Sequence, residues 1–123
     1  MSADEGGFQI RVEPRDGYVY VWQRNTFTTV EELGELHAAI ERALAESACR
    51  CVLFDNREAT QAEMDVRAHM WTWLTTTPQL KRAAIVAHST RVTRRATRTA
   101  DINRVVLRAF HEEGDAVTWL VKA

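Results

Sequence analysis

The chain of 123 residues has no long hydrophobic run; Ala83 to Ala87 is typical of its longest apolar stretches. A membrane-spanning helix needs about 20 such residues in succession, so no transmembrane segment is expected. Cysteine is scarce, with only Cys49 and Cys51, and a disulfide scaffold is excluded. Residues two apart on a strand share a face but diverge along the chain, so these two thiols are not expected to bridge. The opening Met1-Ser-Ala-Asp-Glu-Gly-Gly lacks the basic and apolar regions of an export signal. A reducing cytoplasmic setting is the resulting expectation. His37, His69, His88 and His111 are scattered, and the Cys-x-Cys pair has no second half at zinc spacing, so no metal site is expected. Neither common phosphate-cradling glycine loop occurs, which argues against nucleotide binding, and no cofactor is expected.

What remains is an ordinary globular composition, 46% hydrophobic and 27% charged. That size and balance predict one domain spanning residues 1–123, with residues 1–7 expected to be flexible. The net charge is only −1, yet it is unevenly spread. Residues 1–48 carry nine acids and four bases, whereas residues 81–108 carry eight bases against Asp101 alone. Such asymmetry bears on partners rather than on fold.

Hydrophobic periodicity predicts the order β-β-α-β-α-β-α-β-α. Phe8, Ile10 and Val12 alternate with polar residues as a half-buried strand does. Pro14-Arg15-Asp16-Gly17 then signals a turn into the aromatic and β-branched run Tyr18 to Trp22. Thr29 and Glu32 form a capping box ahead of Leu33, Leu36, Ile40 and Leu44 at helical spacing. The nearly unbroken run Cys51-Val52-Leu53-Phe54, ending at Asp55, suits a strand covered on both faces, as does Ala83 to Ala87. Thr60 and Glu63 form a second capping box for a helix running to about Thr76, with Pro78 beyond it. Ser89 or Thr90 caps a third helix to about Thr99, with Val92 and Ala96 turned inward. Val105 to Phe110 is the last strand, and Gly114 to Val121 the last helix.

Two helices carry the candidate binding residues. On the second, Ala62, Met64, Val66, Met70, Trp71, Trp73 and Leu74 spread over roughly 200° of the helix, wider than the stripe of about 100° that one sheet covers. A dimer partner, another protein or an apolar molecule would cover Met64, Met70, Trp71 and Trp73. On the third, Arg91, Arg94, Arg95 and Arg98 follow i, i+3, i+4, i+7 spacing and share one face. Guanidinium forks suit phosphate and carboxylate oxygens, which fits an anionic headgroup or an acidic partner. Near-neutral charge and the absence of a recognition motif disfavour nucleic acid.

A catalytic alternative places a site near Asp55 and His88, both at predicted ends of parallel strands where α/β sheets form their crevices. Ser89 adjoins His88, but no Gly-x-Ser-x-Gly elbow presents it as a nucleophile. Binding is therefore favoured over catalysis.

The element order resembles the SpoIIAA-like family, grouped with the STAS domains. The segments that carry the likeness are Val52-Leu53-Phe54-Asp55, Arg82 to Ala87 and Asp115 to Leu120, together with Arg57 two residues beyond the strand-ending Asp. The resemblance implies a mixed sheet of about five strands, its first strand antiparallel, with about four helices. It implies no established enzymatic activity. It suggests a module that binds protein partners in regulatory switches, or apolar ligands as in lipid-carrying domains of the Sec14 kind. Phospho-regulated relatives carry an Asp-Ser-x-Gly-like motif where this chain has Asn56-Arg57-Glu58-Ala59-Thr60-Gln61. Thr60 is then the nearest candidate phosphosite, though capping is its more economical role. The expectation is a non-catalytic module that joins the second and third helices into one binding surface, with homodimerisation through the second.

Overall fold

The computed structural model describes residues 9–24, 29–59, 64–103 and 106–122, with only the backbone at 64 and 103. Phe8, the second capping box at Thr60 and Glu63, and the expected flexible stretch 1–7 lie outside the described residues. The elements are β1 (Gln9–Arg15), β2 (Tyr18–Arg24), α1 (Val30–Ser47), β3 (Cys51–Glu58) and α2 (Met64–Thr76). They continue with β4 (Arg82–Val86), α3 (Thr90–Asn103), β5 (Leu107–Phe110) and α4 (Glu113–Leu120). This is the order that periodicity predicts.

The five strands form one sheet in sequence order, β1-β2-β3-β4-β5. β1 and β2 are antiparallel, and the remaining pairs are parallel. Asp16 and Gly17 make the tight link between β1 and β2, with Gly17 at φ 89°. β1 runs on through Pro14, which pairs with Val19; an edge strand tolerates a residue without an N–H donor.

Steady progress across the sheet, with right-handed crossovers, puts every crossover helix on the same side. Accordingly α1, α2 and α3 share one face, over a core of Val19, Val21, Val52, Phe54, Ala83 and Leu107. Among the described residues the opposite face has only α4, which packs Ala116 and Leu120 against Tyr18, Tyr20, Cys51, Leu53, Ala84 and Val86. Bulky aromatic side chains fill the width that one short helix leaves uncovered.

Several boundaries differ from expectation. β3 continues past Asp55 to Glu58, so Asp55 lies within the strand rather than at its end. Asp55 pairs with Trp22 and Val86 on its two neighbours. α3 runs on to Asn103, and it buries Thr93, Ala96 and Ala100 while Val92 is 45% exposed. The inward residues are the small ones, because the helix sits close against β5. Cys49 and Cys51 are free thiols, as their geometry leads one to expect.

α1 has the expected N-terminal box: the Glu32 amide donates to Thr29 Oγ1, and the Thr29 amide donates to Glu32 Oε1, both at 3.1 Å. Its C-terminus ends on Ala48 in the left-handed region, φ 57°. A side chain there is strained, whereas glycine is at ease. Ala48→Gly should therefore raise unfolding stability by up to about 1 kcal/mol, and Thr29→Ala should lower it by about 1 kcal/mol. Urea denaturation of the two variants reads both changes.

Candidate functional site

Period-two alternation along β2 turns Val19, Val21 and Gln23 towards the three-helix face. On β3 it does the same for Val52, Phe54 and Asn56. The apolar series thus ends on a polar residue at the carboxyl end of each strand. The two side chains meet there: Gln23 Nε2 donates to Asn56 Oδ1 at 2.6 Å. They border a cavity of about 50 Å³. Its walls are Leu33, Leu36 and His37 from α1 and Met70, Trp71, Trp73 and Leu74 from α2, and Phe54, Ile85 and Leu107 complete the floor.

Gln23 is 5% exposed, and its Oε1 has no hydrogen-bond partner among the described residues. The indole Nε1 of Trp73 is also buried without one. A buried polar group left in this state costs roughly 1–3 kcal/mol. The imidazole of His37 stacks on Trp73, with ring centroids 4.3 Å apart and planes within 11°. Burial, and secondarily the nearby His69, pushes His37 down to about 4. It is therefore neutral at physiological pH. Among the described residues, no Asp, Glu, Lys or Arg lines the cavity.

The residues expected to bind fall into two groups with different settings. Met70, Trp71 and Trp73 are half-buried around the cavity, and the side chain of Met64 is outside the described set. α2 packs against α1, whereas α3 packs against β5. Arg91, Arg94, Arg95 and Arg98 project outward from α3, exposed, and none reaches the cavity. The wide apolar arc of α2 is divided among the sheet, α1 and the cavity. Its exposed side carries Asp65, Ala68, His69, Thr72, Thr75 and Thr76. That leaves less apolar surface for a partner subunit than the arc alone suggests.

Asp55 has a different setting. It points to the α4 face, is 3% exposed, and has both oxygens engaged. Arg57 grips it in bidentate fashion, Nε to Oδ1 at 2.8 Å and Nη2 to Oδ2 at 2.7 Å. The hydroxyl of Tyr20 donates to Oδ2 at 2.6 Å. Arg57 also donates to Glu113 Oε1 at 2.8 Å, and Arg15 lies 3.6 Å from Glu113 Oε2. The Arg15 guanidinium sits 3.8 Å above the Tyr20 ring. Burial works to raise the Asp55 carboxyl, but the hydrogen bonds from Arg57 and Tyr20 outweigh it and hold it below its ordinary range. Burial and the hydrogen bond to Asp55 raise Tyr20. His88 is exposed just past β4 and shares no hydrogen bond or ion pair with Asp55 among the described residues. The Asp55 carboxylate is thus already engaged by Arg57 and Tyr20. Among the described residues, no group of three His, Cys, Asp or Glu could hold a metal ion.

No family model and no curated protein matches the chain. Several solved structures do. One is an uncharacterised protein of the DUF3478 family with a SpoIIAA-like fold from Shewanella loihica PV-4. It superposes with a TM-score of 0.71 at 20% identity, over 93% of each chain. Another is an anti-sigma factor antagonist from Mycobacterium paratuberculosis, with a TM-score of 0.62 at 18% identity over 98% of each chain. The chain has a SpoIIAA-like, STAS-like fold.

Within the SpoIIAA-like fold, the residues that sequence reasoning missed are Gln23, Asn56 and His37. Gln23 and Asn56 had a readable signal: each is a polar side chain at a parity that alternation assigns to the core, at the carboxyl end of a parallel strand. His37 had none, because its place beside Trp73 depends on how α1 and α2 pack. Thr60, the candidate phosphosite, lies outside the described residues. No helix among them is long and apolar enough to cross a membrane.

The two buried titratable groups predict a two-stage acid response. His37 is neutral in the fold, so the unfolded chain binds its proton first as pH falls below 6.5. Stability should therefore drop between pH 6.5 and about 4 and then level off for this group. The contribution of Asp55 is present above the unfolded carboxylate value and is lost below it, as pH falls through the depressed native value. In urea titrations across this range, His37→Phe should flatten the upper stage and leave the lower one.

Proposed function

We propose that the protein is a non-catalytic binding module whose ligand is a small, uncharged, largely apolar molecule held beneath α2. One observation carries this reading: a buried acceptor, Gln23 Oε1, and a buried donor, Trp73 Nε1, both unpartnered, belong to residues lining the same cavity. A hydroxyl or amide group offers one donor and one acceptor and can satisfy both. A carboxylate or ammonium would be buried there without a counter-charge, which is far more costly. The surrounding Leu, Met and Trp side chains provide an apolar wall around these few polar atoms, as small-molecule sites commonly do.

A volume of about 50 Å³ admits the polar end of a ligand; a larger body requires α2 to shift outward. Among the described side chains of α2, Val66 alone is almost fully buried, and Met70, Trp71, Trp73 and Leu74 are each partly exposed. Met70 adds an adaptable thioether to the wall. The likeness to an anti-sigma factor antagonist supports a regulatory setting in the cytoplasm, in which ligand occupancy changes the surface offered to a protein partner.

The test uses 1-butanol, butanamide and butanoate at neutral pH. The two neutral compounds should shift the indole N–H resonance of Trp73 in a saturable way, and butanoate should not. Trp73→Phe keeps the ring stack but removes the donor, so it should weaken butanamide binding roughly tenfold. No shift with any probe, or equal binding of butanoate, would rule out this reading and leave water as the occupant. A native mass spectrum of the purified protein reads a retained ligand directly, and the homodimer expectation with it.

A further inference from the structure

α3 has an outer face that the cavity does not use. Thr93, Ala96 and Ala100 are buried against the sheet side, and the opposite side carries Arg91, Arg94, Arg95 and Arg98, all exposed. Ile102 falls on that same outward line, four residues after Arg98 and seven after Arg95, and is 74% exposed. Val106, just beyond the helix, is 57% exposed, and Val92, on its flank, is 45% exposed. Three of the four large hydrophobic side chains exposed in the described structure therefore lie on α3 or at its exit. Arg91, Arg94 and Arg98 make no ion pair among the described residues, and Asp101 is the only acid on the helix.

We propose that this face docks onto an anionic lipid bilayer, with the arginines on headgroup phosphates and Ile102 inserted at the acyl boundary. From Arg91 to Ile102 the helix extends about 16 Å, enough to lie flat across several headgroups. Guanidinium groups bind phosphate oxygens bidentately and are weakly hydrated, so they desolvate at low cost. Basic side chains with an apolar residue among them on one helix face suit the interface plane of a membrane. A phosphate-lined nucleic-acid groove would instead leave Ile102 against charge. The fold also orients the molecule: α1, with exposed Glu31, Glu35 and Glu46, packs over β1 and β2, and α3 packs on β5 at the far edge of the sheet. An anionic surface attracts the α3 edge and repels the α1 edge. This docking is independent of whether the cavity binds a ligand.

Co-sedimentation with vesicles tests it, comparing phosphatidylcholine alone with phosphatidylcholine mixed with phosphatidylserine. The full chain should bind the mixed vesicles at low salt, release as salt rises, and ignore phosphatidylcholine alone. Reversing Arg91, Arg94 and Arg98 together to Glu should weaken binding by at least about a hundredfold, and Arg94→Glu alone by at least roughly fivefold. Ile102→Ser, at an exposed position, should weaken binding several-fold while preserving the circular dichroism spectrum. Trp73→Phe should leave vesicle binding unchanged, which separates this face from the cavity. Absence of binding to mixed vesicles at low salt would overturn the proposal, as would insensitivity to Arg94→Glu. Full competition by soluble polyglutamate with no effect of Ile102→Ser would also overturn it, and would assign the face to an acidic protein.

Discussion

The bidentate pair between Arg57 and Asp55 organises the second face of this molecule. A carboxylate that is 3% exposed is tolerable only when its charge is matched and its lone pairs are used. Arg57 and Tyr20 do both. Because Arg57 also holds Glu113, and Glu113 meets Arg15, one chain of charges links the β1–β2 hairpin, β3 and the start of α4. α4 is short, and its N-cap residue Glu112 makes no side-chain capping bond. Its position over the sheet therefore depends on this anchor together with the burial of Ala116 and Leu120. Asp55 and Arg57 share a face because they are two apart on a strand, so β3 has to continue beyond Asp55 for the pair to form.

The other face follows a different logic. Three crossovers of one hand stack three helices side by side, and the middle one, α2, meets the sheet less closely than its neighbours do. A cavity remains beneath it where the polar ends of β2 and β3 lie under two Trp side chains. Among the described residues charge is kept out of this space: Asp55 and Arg57 point to the opposite side, and His37 is neutral. The sheet thus separates a charged, saturated network from an uncharged, partly unsatisfied cavity. Consecutive residues of β3, Asp55 and Asn56, belong to the two sides.

Much of the fold was legible because local and tertiary preferences agree. The Thr29 capping box, the apolar spacing of α1 and the continuous apolar run of β3 each point to the structure that is found. The sites were less legible. Trp71 and Trp73 read as an exposed arc because helical periodicity shows that a face is apolar without showing what covers it. Asp55 read as a crevice residue because the polar run Asp55-Asn56-Arg57-Glu58 hides the strand's continuation; pairing with β2, rather than hydrophobicity, keeps it extended. Val92 read as inward, but the close approach of α3 to β5 favours Thr93, Ala96 and Ala100 at the contact.

By itself the amino-acid sequence determined the element order and the segregation of acidic and basic charge, since these follow from periodicity, capping and composition. The arginine line of α3 belongs with them, because spacing along a helix is enough to place four side chains on one face. Only the tertiary structure decided that Met70, Trp71 and Trp73 line a cavity the α3 arginines do not reach, that Gln23, Asn56, His37 and Trp73 meet there, and that Asp55 is consumed by Arg57 and Tyr20. Each of these joins residues far apart in the chain. Such meetings are set by strand register and helix packing, which no local pattern encodes.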